Sequence, residues 1–334
     1  MSISLPSRLS LANRPTPLQA LDRISDDLGG PRVWLKRDDL TGSLLSGNKI
    51  RKLEFVVAQA LAEGCDTLIT CGGVQSNHCR ATAVVAAQLG LKVCLILRED
   101  NPPAADGNLL IDRLVGAEIQ TVSKADYQKK LPELFERWRA HYAAQGNKAF
   151  IIPTGASDEI GVWGYVAACE ELKSDFAEYA IEPKTIIVAT GSGGTQAGLT
   201  AGAALYSLGA EVIGMAVCDS EIYFRNKVKQ DLKQWKARYN IDCNIDALAI
   251  NTNADYIGPG YGVATPEVYD TIRYVAKREG VILDPVYTGK AFHGLIAQIR
   301  AGHFSSERDI VFVHTGGLFG VFPHRNQFAF GDAE

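Results

Sequence analysis

The sequence lacks the features that would place it in a membrane or on nucleic acid. No run approaches the roughly 20 apolar residues that cross a bilayer. Residues 1–19 contain no continuous apolar core, so we expect no signal peptide. The 34 basic and 38 acidic residues give a net charge of −4. The basic run at 225–238 is most simply a solvated helix face, and we expect neither a membrane nor a nucleic-acid partner.

Disulfide and metal frameworks are also missing from the sequence. The seven cysteines include no C-x-x-C pair, and their odd number argues against a disulfide framework. We therefore expect a reducing, cytoplasmic location, with the cysteines acting as small core residues. The six histidines have no metal-binding spacing, and neither H-E-x-x-H nor G-x-S-x-G occurs. The sequence predicts no metal site and no nucleophile elbow.

What the sequence does contain is an alternation of strands and helices. Apolar, β-rich runs predict strands at 67–71, 92–97, 117–122, 148–153, 185–190, 211–217 and 309–314. Helical patterns separate these runs, and one charged segment at 124–146 is expected to become firmly helical at Pro132. Such alternation predicts an α/β fold with parallel sheets and crossover helices. The 334 residues, 46% of them hydrophobic, suffice for two packed lobes.

A glycine-rich loop, GSGGT at 191–195, lies between a predicted strand and a predicted helix. Backbone N–H groups of such a loop converge on an anion, and the helix N-terminus adds partial positive charge. The pattern suits a phosphate monoester and is not a Walker A loop. A dinucleotide site is a weaker alternative, because the third fingerprint glycine is replaced by Gln196, although Asp219 imitates the ribose-binding acid. A tight turn without a ligand is the third interpretation.

Other loops that follow predicted strands also carry polar groups. Taken alone, each of these loops is most simply a turn. In GGVQSNH (72–78), Ser76 and Asn77 stand where a helix N-cap belongs. The glycine pair before them raises the possibility of a second anion site, for example for a carboxylate. The segments 255–262, 284–290 and 314–317 are glycine-containing loops of the same kind.

Three cations, Lys49, Arg51 and Lys52, occur in the first turn of a helix predicted over 49–63, with Asn48 as its cap. Cations there face the positive end of the helix dipole, which disfavours them. One interpretation is that they point into water. The other is that Lys52 meets a bound phosphate and that Lys49 loses its charge as an imine.

Seven motifs, in order along nearly the whole chain, carry a family resemblance: LKRDDLTG (35–42), SGNKIRKLE (46–54), QSNH (75–78), GSGGTQAG (191–198), GYG (260–262), LDPVYTGK (283–290) and HTGG (314–317). In these motifs the chain resembles the D-cysteine desulfhydrase and 1-aminocyclopropane-1-carboxylate deaminase family. The resemblance implies pyridoxal 5′-phosphate as cofactor and the tryptophan-synthase-β-like fold, known as fold type II. It also implies a homodimer, a large lobe from residues 1–49 and 164–334, and a small lobe from residues 50–163.

The resemblance also implies roles for individual residues. Lys49 matches the family lysine that forms a Schiff base with the cofactor, and Asn77 matches the residue that contacts the ring hydroxyl. Ser76 matches the group beside the substrate, with Gln75 and Asn77 near it. The phosphate site matches Lys52, Gly191, Ser192, Gly193, Gly194 and Thr195. The active-site tyrosines match Tyr261 and Tyr287, and the partner of the pyridine nitrogen matches Thr288.

Position 288 bears on the reaction. The deaminase branch of the family has glutamate where this chain has Thr288, and a neutral hydroxyl leaves the cofactor a weaker electron sink. A weaker sink favours direct loss of a leaving group from Cβ over the opening of a cyclopropane ring. We therefore expect a carbon–sulfur lyase, D-cysteine desulfhydrase, that forms pyruvate, hydrogen sulfide and ammonia.

Several alternatives remain open at this stage. They are 1-aminocyclopropane-1-carboxylate deaminase, a lyase for another β-substituted alanine such as L-cysteate, an NAD-dependent dehydrogenase, and a non-catalytic binder of the cofactor. The segments 71–74 and 155–157 depart from the family pattern, and the tail after HTGG is rich in aromatic residues. These departures border the expected pocket and leave the exact substrate open.

Overall fold

The computed structural model describes residues 3–101, 103–328 and 330. Within them, the strands in chain order are β1 (Leu18–Ala20), β2 (Arg32–Lys36), β3 (Thr67–Gly73), β4 (Lys92–Arg98), β5 (Glu118–Val122), β6 (Ala149–Ile151), β7 (Thr185–Thr190), β8 (Glu211–Ala216), β9 (Asn251–Asn253) and β10 (Asp309–Val313). All seven predicted strands are present, with bounds that differ by a few residues at most.

Helices connect these strands. The α-helices are α1 (Asp22–Leu28), α2 (Asn48–Ala62), α3 (Asn77–Leu89), α4 (Gly107–Leu114), α5 (Lys124–Ala144), α6 (Trp163–Glu178), α7 (Gly194–Leu205), α8 (Glu221–Tyr239), α9 (Pro266–Glu279) and α10 (Thr288–Arg300). Short 3₁₀ turns occupy several of the loops. None of the helices in the described part of the chain combines the length and apolar composition needed to cross a membrane.

The strands form two sheets. The larger has the order β1-β2-β10-β7-β8-β9, and the smaller has the order β5-β4-β3-β6. Every neighbouring pair is parallel except β1 with β2. The predicted α/β class with parallel sheets is therefore confirmed. The whole smaller sheet lies between residues 67 and 151, whereas the boundaries of the two lobes stay a prediction.

Small residues let two helices of the larger sheet's layer approach closely. A Cβ added at Gly198 of α7 would lie 2.5 Å from the Cβ of Tyr165 on α6, and one at Gly202 would lie 2.6 Å from Cys169 Sγ. Such distances are shorter than any normal contact between carbon or sulfur atoms, so only glycine fits there. This packing fixes the start of α7, and with it the glycine loop that precedes it.

Three expectations from the sequence need correction or extension. Helix α5 begins at Lys124 and runs through Pro132, because the Ser123 hydroxyl caps it by accepting a hydrogen bond from Asp126 N at 3.0 Å. The expected start at Pro132 is wrong.

The basic run at 225–238 belongs to α8, whose other face is packed into the core. Strands β1, β2 and β9 and helix α1 were not predicted. The seven cysteines carry free thiols, and six of them are buried, as expected for core residues.

Candidate active site

A cavity of about 520 Å³ lies where the carboxyl ends of strands from both sheets meet. Residues after β3, β7 and β10 line it, as expected for ligand sites in open parallel sheets. Nine residues proposed from the sequence contribute to its wall: Lys49, Ser76, Asn77, Gly191, Ser192, Gly193, Thr195, Tyr261 and Tyr287. Four others, Gln75, Lys52, Gly194 and Thr288, lie outside the lining.

The Ser157 hydroxyl organises one end of this cavity. Lys52 Nζ donates to Ser157 Oγ at 3.1 Å, Gly194 N donates to it at 3.2 Å, and Ser192 Oγ lies 2.8 Å away. We call these four residues, Lys52, Ser157, Ser192 and Gly194, the anion cradle. A cation, a helix N-terminus and two hydroxyls converge there, which is the donor set that a phosphate monoester requires.

Glycines give the anion cradle its room. Gly193, the residue before α7, has φ +84°, a left-handed conformation that favours glycine. A Cβ added at Gly194 would lie 2.9 Å from Lys52 Nζ and 2.5 Å from Ser157 Oγ. Substitution of Gly194 would fill the cradle, so the spacing of GSGGT serves the site as well as the turn.

Lys52 is fully buried and lacks an acidic partner. Its side chain has 0% exposure, and within the described residues no carboxylate lies at ion-pair distance from its amine. Burial, followed by repulsion from Lys49, lowers the pKa of Lys52 well below its ordinary value. The interpretation that this lysine points into water is wrong. A buried cation without a counter-charge indicates that an anion binds beside it.

Lys49 lies near Lys52, but its side chain is half-buried and lines the cavity. A Cβ added at Gly155 would lie 3.4 Å from Lys49 Nζ and 2.5 Å from Ser192 Oγ, so the amine lies next to the anion cradle. Burial lowers the pKa of Lys49 from 10.5 to about 8. The neutral form of this amine, which a nucleophile or a base requires, is therefore far more accessible near neutral pH than for an ordinary lysine.

Arg51, the third cation of this helix turn, has a different environment. It makes two hydrogen bonds to Asp38, at 2.7 and 2.8 Å, and two to Glu171, at 2.8 and 2.9 Å. Asp38 also accepts hydrogen bonds from Thr16 and Tyr165. Arg51 is therefore part of a buried ion-pair network that joins α2 to α6, and it does not line the cavity.

Asn48 does not cap α2, which corrects the expectation from the sequence. The cap position is Gly47, with φ 112° and no side-chain hydrogen bond. The Asn48 amide instead donates to Thr195 Oγ1 at 2.9 Å. This bond ties the start of α2 to the start of α7, so the two helices that bear the cradle residues are held together.

The start of α3 forms another wall of the cavity. Ser76 caps the helix as predicted, because its Oγ accepts a hydrogen bond from Cys79 N at 3.2 Å. Asn77 Oδ1 accepts a hydrogen bond from Asn108 Nδ2 at 2.9 Å. Gln75 Oε1 accepts one from Asn108 N, which directs the Gln75 side chain toward α4 and away from the cavity.

Two tyrosines and a threonine complete the set of predicted residues. The hydroxyls of Tyr261 and Tyr287 are hydrogen-bonded to each other within the cavity wall. Burial raises the pKa of both, so the pair holds its protons at neutral pH. Thr288 is fully buried and donates to Asp284 Oδ1 at 2.8 Å. Its contact with a ring nitrogen stays a prediction, because Thr288 lies outside the lining, to which Thr154, Thr190, Thr195 and Thr315 contribute.

Sequence reasoning missed several lining residues. Ser157 was noticed only as a departure from a family pattern, and Lys227, which donates to Ser157 O at 3.1 Å, was assigned to a solvated face. Arg98, the last residue of β4, lies outside the motifs, and His78 ends the QSNH motif but received no role from it. Both Thr190 Oγ1 and His78 Nδ1 are buried polar atoms in the cavity wall without a hydrogen-bond partner in the described residues. A polar ligand would satisfy them.

Comparisons with known proteins agree with this geometry. The profile of a family described as pyridoxal-phosphate-dependent enzymes matches residues 9–316. A protein of Arabidopsis thaliana, described as a bifunctional D-cysteine desulfhydrase and 1-aminocyclopropane-1-carboxylate deaminase of mitochondria, is 42% identical over 335 residues. The match covers 97% of this chain and 82% of the relative.

Two further proteins are similar over nearly their whole lengths. A Klebsiella pneumoniae protein described as D-cysteine desulfhydrase is 40% identical over 325 residues, covering 95% of this chain and 97% of the relative. A solved structure described as an ACC deaminase homologue superimposes with a TM-score of 0.88 at 36% identity, covering 96% of this chain and 95% of the other.

Proposed function

The chain belongs to the family of pyridoxal-phosphate-dependent enzymes, and from this membership we propose that it is a β-elimination lyase that acts on D-cysteine. The products would be pyruvate, hydrogen sulfide and ammonia. The observation that carries the proposal is the position of the Lys49 amine, with its pKa lowered to about 8, beside the anion cradle.

The residues present fit the cofactor. Its phosphate suits the anion cradle, where Lys52 lacks a counter-charge, and its polar ring substituents suit the unpartnered atoms of Thr190 and His78. When bound, pyridoxal phosphate supplies an electron sink that stabilises negative charge at the substrate Cα. We assign the phosphate to Lys52 and loop 191–195, and the ring hydroxyl to Asn77.

Lys49 is the group proposed to move the Cα proton. A neutral amine is required to accept that proton, and desolvation of Lys49 favours the neutral form. Ser76 and the N-terminus of α3 would hold the substrate carboxylate, because backbone N–H groups and the helix dipole stabilise an anion there. The Lys49 amine and this carboxylate site would together fix which bond at Cα is broken.

The hydrogen-bonded pair Tyr261 and Tyr287 is proposed to protonate the departing thiolate. Both hydroxyls line the cavity, and their raised pKa values keep them protonated. A donor that stays protonated in the free enzyme can give its proton to sulfur as the Cβ–S bond breaks. The shared hydrogen bond would let one tyrosine relay a proton to the other.

Deamination of 1-aminocyclopropane-1-carboxylate is the second candidate, because a relative and a similar solved structure carry that name. The neutral Thr288, where the deaminase branch has glutamate, favours elimination. L-Cysteate and other β-substituted alanines remain candidates within the elimination class.

The test is an assay of purified holoenzyme with D-cysteine, in which sulfide, pyruvate and ammonia are measured together. We expect the three products in equal amounts. Parallel reactions contain L-cysteine, D-serine, β-chloro-D-alanine, L-cysteate and 1-aminocyclopropane-1-carboxylate. Formation of α-ketobutyrate from the last substrate, without sulfide from D-cysteine, would replace the proposal by the deaminase.

Assembly, location and lobe boundaries follow the family expectation. We propose a cytoplasmic homodimer whose large lobe comprises residues 1–49 and 164–334 and whose small lobe comprises residues 50–163. The position of the smaller sheet within residues 67–151 supports the lobe assignment. Light scattering coupled to size-exclusion chromatography tests the dimer, and a monomeric mass at working concentration would contradict it.

A further inference from the structure

Lys290 is a buried cation that lies outside the cavity lining and has no role in the proposed mechanism. It belongs to the first turn of α10, where the helix dipole disfavours a cation, and it is 1% exposed. Its amine donates hydrogen bonds to the carbonyl oxygens of Ile257 and Gly260, both at 2.7 Å. Within the described residues no carboxylate lies at ion-pair distance from this amine. The negative ends of two peptide dipoles therefore serve as its counter-charge.

The segment that this amine holds carries Tyr261 into the cavity wall, and we call residues 255–262 the tyrosine loop. Three of its glycines, Gly258, Gly260 and Gly262, have φ values of +69°, +142° and +78°. Glycines lose more conformational freedom on folding than other residues do, so ordering this loop has a high entropic cost. Tyr261 is itself 37% exposed, and its own burial contributes little to that ordering. The loop therefore depends on anchors from outside it.

Two anchors dock the tyrosine loop on one face of α10. Lys290 binds the carbonyl of the residue immediately before Tyr261, which fixes the backbone at that point. The ring of Tyr256 packs on Gly294, where an added Cβ would lie 2.7 Å from Tyr256 Cδ2. Lys290 and Gly294 lie one helical turn apart, so both contacts come from the same side of the helix.

The start of α10 also fixes the second tyrosine of the pair. The Asp284 carboxylate accepts hydrogen bonds from Tyr287 N at 2.9 Å and from Thr288 N at 2.8 Å. Lys290 follows within the same turn, and the hydroxyls of Tyr261 and Tyr287 are hydrogen-bonded to each other. One rigid element thus holds Tyr287 directly and holds Tyr261 through Lys290.

We propose that Lys290 is a positioning residue, which anchors the tyrosine loop so that Tyr261 and Tyr287 meet in the arrangement that proton transfer to the leaving group requires. This inference rests on the proposed function, because it assumes that the tyrosine pair protonates the departing thiolate. In that step the Cβ–S bond breaks, the electron pair stays on sulfur, and a proton from the pair joins it. A leaving group that departs without a proton should not need Lys290.

The first experiment measures the order of the tyrosine loop without turnover. Chymotrypsin cleaves after aromatic residues, so Tyr256 and Tyr261 are sites within the loop, and mass spectrometry of digests of the holoenzyme follows cleavage at each. We expect Lys290→Met to raise the rate of cleavage there at least about tenfold, because two charge-assisted hydrogen bonds are lost. Lys290→Gln keeps N–H donors without the charge, so a smaller increase is expected, and this variant supplies the test if Lys290→Met does not fold. Unchanged rates in both variants would overturn the inference.

The matched control is Lys277→Met, which removes a lysine that is exposed on α9 and outside the cavity. We expect this variant to be cleaved in the tyrosine loop at the rate of the unmodified enzyme. A rate as high as in the Lys290 variants would show a general effect of losing a lysine and would overturn the inference.

The second experiment separates positioning of a proton donor from a purely structural role. The kcat/KM for D-cysteine is compared with that for β-chloro-D-alanine, whose chloride leaves with its electron pair and needs no proton. Lys290→Met should lower the value for D-cysteine by about 10- to 100-fold, because the donor is displaced, and leave that for β-chloro-D-alanine within about threefold. Equal losses for both substrates would overturn the inference.

A double variant tests whether Lys290 acts through Tyr261. Combined with Tyr261→Phe, Lys290→Met should lower the kcat/KM for D-cysteine by no more than about threefold beyond Tyr261→Phe alone, because the group it positions is already gone. Losses that multiply would overturn the inference. If the unmodified enzyme eliminates from none of the amino acids while the difference in cleavage is present, the proposed function is contradicted and the anchoring of the tyrosine loop is confirmed.

Discussion

The first turns of α2 place two kinds of buried cation side by side, and their surroundings differ completely. Arg51 is 2% exposed and meets Asp38, 1% exposed, as well as Glu171. Lys52 is also fully buried, yet its side chain donates to the neutral hydroxyl of Ser157. The sequence presents all three basic residues as equivalent violations of the helix dipole. The fold neutralises one with protein carboxylates and leaves the others beside a cavity.

This difference distinguishes a buried cation that stabilises the fold from one that belongs to a ligand-binding site. A buried ion pair with both partners in the protein is complete, and removal of one partner leaves the other as an unpaired charge. A buried cation without a protein counter-charge is complete only when a ligand supplies the anion. Arg51 and Lys52 should therefore respond in opposite ways when each is removed from the cofactor-free protein.

The largest expected effect comes from Lys49, beside the anion cradle. Lys49→Ala should lower turnover about 100- to 10 000-fold, because the only group proposed to move the Cα proton is lost. After borohydride reduction, mass spectrometry should find the cofactor attached to residue 49 in the unmodified enzyme and to no lysine of the variant. The exposed Lys173→Ala serves as control. Attachment at another lysine in the unmodified enzyme would remove Lys49 from its role.

The next largest effect is the loss of stability when the buried ion pair between Arg51 and Asp38 is broken. Arg51→Ala should lower the free energy of unfolding by about 3–5 kcal/mol, because Asp38 is left buried without its cation. Urea unfolding of the cofactor-free protein measures this. Arg278→Ala, which breaks the solvent-exposed pair with Asp27, should cost far less, because water screens that pair. Similar values for the two variants would show that the buried network is not the scaffold inferred here.

Lys52→Met sharpens the contrast. Its removal leaves no buried carboxylate unpaired, so the cofactor-free variant should be at least as stable toward urea as the unmodified protein. Its affinity for pyridoxal phosphate should fall about 10- to 100-fold, because a charge-assisted contact is lost. Equilibrium dialysis measures that affinity. If the cofactor-free variant is destabilised as strongly as Arg51→Ala, the comparison between the two cations fails.

The smallest effect is a pH dependence. The pKa of Lys49 is about 8 in the folded protein against 10.5 for the free side chain, so between these values the unfolded chain binds more protons. The stability of the cofactor-free protein should therefore rise with pH across this window. The difference in free energy of unfolding between the unmodified protein and Lys49→Met should rise by no more than about 3 kcal/mol across this window. Because Lys49 is partly exposed, solvent screening makes the actual rise smaller than this upper limit. A decrease of this free-energy difference with rising pH would contradict the prediction.

Elements with a complete local signal were predictable. Strand β7, loop 191–195 and the start of α7 follow one another within about a dozen residues, and the predicted strand bounds agree with Thr185–Thr190. The Ser76 cap is a local pattern of the same kind. Shorter elements at the N-terminal end, such as β1 with three residues, carry too little periodicity to be recognised.

Competing local signals produced the errors. Pro132 suggested a helix start, but the Ser123 cap and the burial of Tyr127 extend α5 over two more turns. Asn48 has the right type and position for a cap, yet its amide is taken by Thr195, 147 residues away. The helix start was decided by a nearby cap that the proline signal concealed, whereas the role of Asn48 was decided by a partner far along the chain.

The amino-acid sequence alone determined the α/β alternation, the glycine loops at strand ends and the order of the family motifs, because each is written within a short segment of chain. Only the tertiary structure decided which buried cations are paired. Arg51 meets Glu171 across 120 positions, and Lys52 meets Ser157 across 105. Electrostatic energy depends on distance in space and on burial, and neither quantity is contained in the spacing of residues along the chain.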